Sequence, residues 1–360
     1  MIRRLAVVLL LGLAAAGCSQ AAERPVAVSP VEVAQEAVRD AAGADYGGGA
    51  VVWGGRTGEL DAARPVADGW ILPGGGTPMR TAPAPIAARS RHVVAAHGGL
   101  VHVWGGGDGH GTVFDDGAVL DPRTNTWTAM PRGPVGLAGA QAVVVGDRIV
   151  IGGGASDLIV VYDTRERAWT TIDARARVLA FAVSAGRVVA ATRGPDRQTL
   201  HVGRYGWDGP GEPEFATLRQ ERPISDSVAI ADDGTTVTVA VADDATTTTV
   251  YRLDATGRPR TTATVDAGVF APGQGAAAGL SRTFRHGGDW LTIDSYSVSG
   301  FSIDARTASG RWRLDACRDA AAWVPLGGGG RRFLRYGGRP CGGDVPEDTG
   351  PVLAVVELNA

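Results

Sequence analysis

The stretch of this chain best supplied with reactive side chains is Gly107-Asp108-Gly109-His110-Gly111, with Asp115-Asp116 just beyond it. Three carboxylates and an imidazole on a glycine-loosened loop could hold a divalent cation or grip a sugar hydroxyl. The spacing fits no EF-hand, however, and Gly/Asp-rich segments are common solvated turns. Asp108, His110, Asp115 and Asp116 therefore form a candidate ligand loop whose competing reading is a plain connector. Asp232-Asp233-Gly234 and Asp243-Asp244 are turns by the same argument.

The histidines are less promising. His92 follows Arg89 and Arg91 at the start of an apolar run, where a structural role is the simpler expectation. His97 and His102 are spaced like neighbours across a hairpin, with no acid or cysteine close by to complete a zinc set. Glycine runs at 74–76, 105–107, 152–154 and 327–330 follow strand-like segments but open no helix, so a phosphate loop has nothing to work with. The sequence thus predicts no cofactor and no metal, and names no catalytic residue.

The clearest functional statement is an address. Arg3-Arg4 precede the apolar run Leu5–Ala14, then small residues and Cys18, a pattern too short to span a membrane and shaped like a secretory signal. Ala15-Ala16-Gly17-Cys18 resembles a bacterial lipobox, although a larger aliphatic residue usually stands where Ala15 does. The resemblance implies a signal peptide over 1–17 and lipid on Cys18, hence a protein anchored at the outer face of a bacterial cytoplasmic membrane. Of three cysteines, lipidation of Cys18 leaves Cys317 and Cys341, which an oxidising compartment would pair; two unbridged buried thiols are the alternative.

Composition excludes other partners. The net charge is −3, falling to about −5 without Arg3 and Arg4, and no run of like charge stands out. Nucleic acid and polybasic membrane contacts are poor fits. Gly 53 and Pro 20 are high, but the glycines sit at strand ends and turns, which is the pattern of an all-β protein.

One pattern is written twice between Arg89 and Ile172. An apolar run, a glycine turn (Gly98-Gly99, then Gly146-Asp147), a second strand, a glycine cluster, a third strand and a tryptophan follow in order. Trp127 and Trp169 lie 42 residues apart, and Gly105 and Gly152 lie 47 apart. That period, with four short strands per unit, is the mark of a β-propeller blade. Second strands at Val51–Gly55 and Phe333–Gly338 keep the glycine doublet, and Arg187–Thr192, Thr236–Ala242 and Trp290–Ser295 keep the rhythm without it, which extends the repeat to seven blades, with six as the alternative. Three strands in the last segment lack a fourth, for which Pro25–Val28 is the candidate. Ser29-Pro30-Val31-Glu32 has the cap chemistry of a helix start, and the spacing predicts a short helix near 30–42. The domain reading is a lipidated tether with that helix over 18–45 and a propeller over 46–360.

The repeat resembles kelch: a glycine doublet ends the second strand, and Tyr162 precedes Trp169 by the family's spacing, which Leu120 and Trp127 keep. The resemblance implies a kelch-type propeller and leaves function open, since such discs host many activities. Galactose oxidase-like copper chemistry needs a cysteine cross-linked to a tyrosine beside histidines, and sialidase Asp-boxes have a fixed pattern; neither occurs. The expectation is a monomeric, non-catalytic binding or scaffold lipoprotein that presents a propeller face to an envelope protein or glycan. The alternative is an extracytoplasmic, epimerase-like enzyme acting on a carbohydrate.

Overall fold

A computed structural model of the chain describes residues 24–33, 38–58, 63–184, 186–207, 211–224, 228–242, 247–266, 282–286, 289–293, 297–302, 307–313, 318–327, 331–340 and 351–358. The strands form seven four-stranded antiparallel sheets, the blades of a propeller. Blade one is Ala42–Asp45, Gly49–Trp53, Gly69–Pro73 and Met79–Arg80; blade two is Val93–His97, Leu100–Trp104, Gly117–Asp121 and Thr126–Ala129. Blade three spans Ala140 to Asp173, blade four Val178 to Arg219, blade five Val228 to Asp266 and blade six Arg282 to Arg313.

Burial explains the sequence pattern. Second strands are wedged between neighbouring blades on both faces and therefore read as continuous apolar runs. Val51, Val52 and Trp53, then Ile149, Val150 and Ile151, are all buried, each such side chain contributing roughly 1.5–3 kcal/mol of transfer free energy. Fourth strands lie at the rim, and Ala168–Asp173 is mostly exposed. The hairpin Gly98-Gly99 takes φ of 60° and 77°, the mirror-image turn that matches strand twist. Tryptophans latch blade to blade: Trp127 Nε1 donates to Ala82 O at 2.9 Å, and Trp169 Nε1 to Pro131 O at 3.0 Å.

Both ends of the chain meet in blade seven. Ala322–Pro325, Arg332–Tyr336 and Leu353–Leu358 are its inner three strands, and Arg24–Pro30 is the fourth, antiparallel to Leu353–Leu358. The same strand touches blade six in parallel through Arg24 opposite Trp312, so blades six and seven share one eight-stranded sheet. No edge is left where the ring closes. Asp45 Oδ2 accepts from Gly327 N at 2.7 Å, tying blade one to blade seven.

Two expectations are corrected. The segment expected to be helical over 30–42 contains no helix among its described residues. Val31 N donates to Leu353 O, Arg39 N to Arg56 O, and Val38 O accepts from Gly338 N. Val38 and Ala41 are buried between blades one and seven. Backbone pairing with two blades outweighs the Ser-Pro cap signal. The tether expected over 18–45 is likewise shortened, because Arg24–Pro30 and Ala42–Asp45 are strands of the propeller. Cys18, Cys317 and Cys341 lie outside the described residues.

Candidate functional site

In each blade the first strand starts, and the second strand ends, on one face of the disc. The hairpin turns mark the opposite face. We call the first the doublet face, because the glycine pairs lie there. Gly105 has φ +69°, and a Cβ on it would stand 2.6 Å from Leu137 O. Only glycine permits that conformation and that approach. The second glycine of three pairs donates to the start of the next blade: Gly55 N to Arg89 O, Gly106 N to Leu137 O, and Gly338 N to Val38 O.

Just inside these contacts runs a second hydrogen-bonded arc. Asp40 N donates to Ala320 O at 3.1 Å, Arg91 N to Asp40 O at 3.0 Å, and Gly139 N to Arg91 O at 2.7 Å. All four residues have left-handed φ, between 55° and 73°. They occupy one equivalent position, immediately before the first strands of blades seven, one, two and three. The rim of the central channel is thus fixed by backbone geometry, and its side chains are what vary.

Arginine dominates this rim. Arg39, which is buried, and Arg56 form a backbone bridge three pairs beyond the end of the inner ladder of blade one, and in blade four Arg193 N donates to Arg177 O one pair beyond its own ladder. Arg56 Nε lies 2.6 Å from Asp40 Oδ2, whose side chain is 6% exposed. Arg39 Nη2 donates to Gly58 O at 2.7 Å. Arg91 is exposed and reaches over blade three, where a Cβ at Gly139 would meet its Nη2 at 2.7 Å. Among the described residues Arg91 has no ion-pair partner.

The expected ligand loop is placed on this face but its acids are engaged. Asp108 Oδ1 accepts from His110 N at 2.8 Å and Thr112 N at 3.0 Å, closing a turn. The Thr112 side chain and the His110 amide hold its carboxyl below the usual range. Asp115 pairs with Arg132. Asp116 Oδ1 sits 2.8 Å from Arg89 Nη1, and that guanidinium is fully buried against the Phe114 ring at 4.3 Å. Arg89 also donates to Ala87 O and Gly105 O. The loop is therefore a clamp on blade two as well as a surface, and His110 is its exposed tip. No group of three or more His, Cys, Asp or Glu among the described residues is arranged to hold a metal.

His92 is structural, buried edge-on against Trp53 with ring centroids 5.2 Å apart. His97 sits on the hairpin face, with Nε2 3.3 Å from Asp147 Oδ1. His102 is buried beside Tyr162, and burial first, then the charge of His97, lowers its pKa to about 4. The arginine rim is what sequence reasoning missed. Its members are far apart in the chain, so no charge run marks them. A usable signal existed in Gly54-Gly55-Arg56 and Arg39-Asp40, cations set against the repeat's own landmarks.

The family model described as Kelch motif matches residues 88–134, which is blade two with its connections. The solved structure of YjhT aligns over 92% of this chain and 95% of its own, at 13% identity and a TM-score of 0.47. No curated protein matches. One blade thus carries the kelch motif in its sequence, and the described sheets make seven blades: the fold is a seven-bladed β-propeller.

Proposed function

We propose that this protein is a non-catalytic binding module, held at the outer face of a bacterial cytoplasmic membrane by lipid on Cys18 and presenting its doublet face to an envelope partner. The observation that carries this reading is the rim: an arc fixed by backbone hydrogen bonds, with exposed Arg91 projecting from it and no ion-pair partner for it among the described residues. Rigid display of a few side chains on a closed scaffold suits recognition, because little ordering entropy is lost on contact. Three acids of the doublet face support the same reading, since Asp40, Asp115 and Asp116 are each held by an arginine.

Affinity capture from gently solubilised membranes, comparing wild type with Cys18→Ala, tests this. The expected result is a membrane-bound wild type that retains a partner and a soluble variant. A Cys18→Ala chain that fractionates like wild type refutes the anchor.

A further inference from the structure

We propose that Cys317 and Cys341 form a disulfide that staples the seam where the ring closes. The observation behind it is a two-stranded ladder outside the seven blades, Arg318–Asp319 paired antiparallel with Arg339–Pro340. Its register sets Arg318 opposite Pro340 and Asp319 opposite Arg339. One step further out on that register the sequence has a cysteine on each strand, at 317 and 341. Facing residues of an antiparallel pair have Cα atoms about 4.5–5.5 Å apart and side chains on one face. A disulfide needs a Cα separation of roughly 4.4–6.8 Å, so this register suits one. The cysteine count left a bridge and two free thiols as alternatives, and the ladder favours the bridge.

The ladder sits between two contacts that hold the first blade to the last. Ala320, directly after Arg318–Asp319, accepts from Asp40 N at 3.1 Å, and Gly338, directly before Arg339–Pro340, donates to Val38 O at 2.7 Å. Two residue pairs make a marginal ladder on their own. A covalent bond at its end fixes both contacts and encloses the 23 residues between the cysteines, including the strands Ala322–Pro325 and Arg332–Tyr336. Closing a loop of that size restricts the unfolded chain and so favours the folded one. The proposal rests on the export proposed above only for its oxidant, an exchangeable disulfide on an extracytoplasmic thiol oxidant. One cysteine thiolate displaces a sulfur from it, giving a mixed disulfide, and the second cysteine displaces the remaining sulfur. The protein gains one S–S bond, the oxidant loses one, and the two thiol protons end on the oxidant's sulfurs.

The test takes the full chain isolated from cells, blocks free thiols with iodoacetamide and digests it with trypsin without reduction. Mass spectrometry is expected to find a species joining residues 314–318 to 336–360, which dithiothreitol splits. Reduction should lower the thermal midpoint by about 4 °C and speed hydrogen exchange at Asp40 N roughly tenfold. Cys317→Ser and Cys341→Ser should each reproduce both changes, and the double variant should add nothing further. A bridge from either cysteine to Cys18, or free thiols that glutathione disulfide also fails to join, overturns the pairing. A linked chain whose midpoint and exchange do not respond to reduction overturns the staple. Free thiols in the isolated chain that glutathione disulfide does join into the same species support the pairing and refute export.

Discussion

Burial of His102 makes the stability of this propeller fall as pH drops below about 6.5. The ring lies in the second strand of blade two, opposite Ala95 and Val119, against Tyr162 of blade three. Its folded pKa of about 4 lies below the ordinary 6.5 because the charged form loses hydration, with His97 adding repulsion. Above pH 6.5 both states are neutral and the group contributes nothing to the pH dependence. Below that, the unfolded chain takes up a proton that the folded chain refuses, so stability falls with pH until folded His102 itself titrates. The linkage relation gives a loss of about 0.8 kcal/mol at pH 6 and about 2 kcal/mol at pH 5. Asp108, Asp121, Asp163, Asp196 and Asp254 have lowered pKa values, so what they contribute is lost only below the ordinary carboxylate range. The assay is urea unfolding followed by tryptophan fluorescence at pH 7, 6 and 5, for wild type and His102→Gln. The variant has no ionisable ring, so the wild-type-minus-variant difference should shrink by about 2 kcal/mol between pH 7 and 5. A difference independent of pH would refute the burial argument.

Gly105→Ala should lower stability by roughly 2–4 kcal/mol, read from urea midpoints, because the methyl group would collide with Leu137 O at a positive φ. Arg89→Met should cost about 3–5 kcal/mol in the same assay, since it leaves the Asp116 carboxylate and three carbonyls without their buried donor. Trp169→Phe keeps most of the packing and loses the bond to Pro131 O, so about 1 kcal/mol is expected. Deleting residues 24–30 uncovers the edge of Leu353–Leu358, and light scattering should show concentration-dependent association.

What the sequence reveals here follows from how local each determinant is. Second strands are buried on both faces, so Val101–Trp104 and Arg148–Ile151 carry their identity in their own residues. The glycines after them are required by contacts a single residue makes, and these recur with the blade. The closing strand was also legible, because three strands in the last segment demand a fourth. The expected helix failed for the opposite reason. Its cap residues are local, but Val38, Arg39 and Asp40 are fixed by partners at Gly338, Arg56 and Ala320, the farthest some 300 residues on.

The arginine rim belongs with the helix in this respect. A charge run in sequence becomes a patch only if the chain is locally compact. In a propeller each blade contributes one or two residues to the mouth, and consecutive contributions are separated by a whole blade. Arg39, Arg91 and Arg177 lie 52 and 86 residues apart in the chain, yet each stands just before the first strand of its blade. Charges at the mouth therefore come from residues a whole blade apart, and Arg91→Gly removes one of them while leaving the backbone arc intact. Because Gly139 already holds the same conformation in blade three, the substitution separates what the side chain does from what the fold requires.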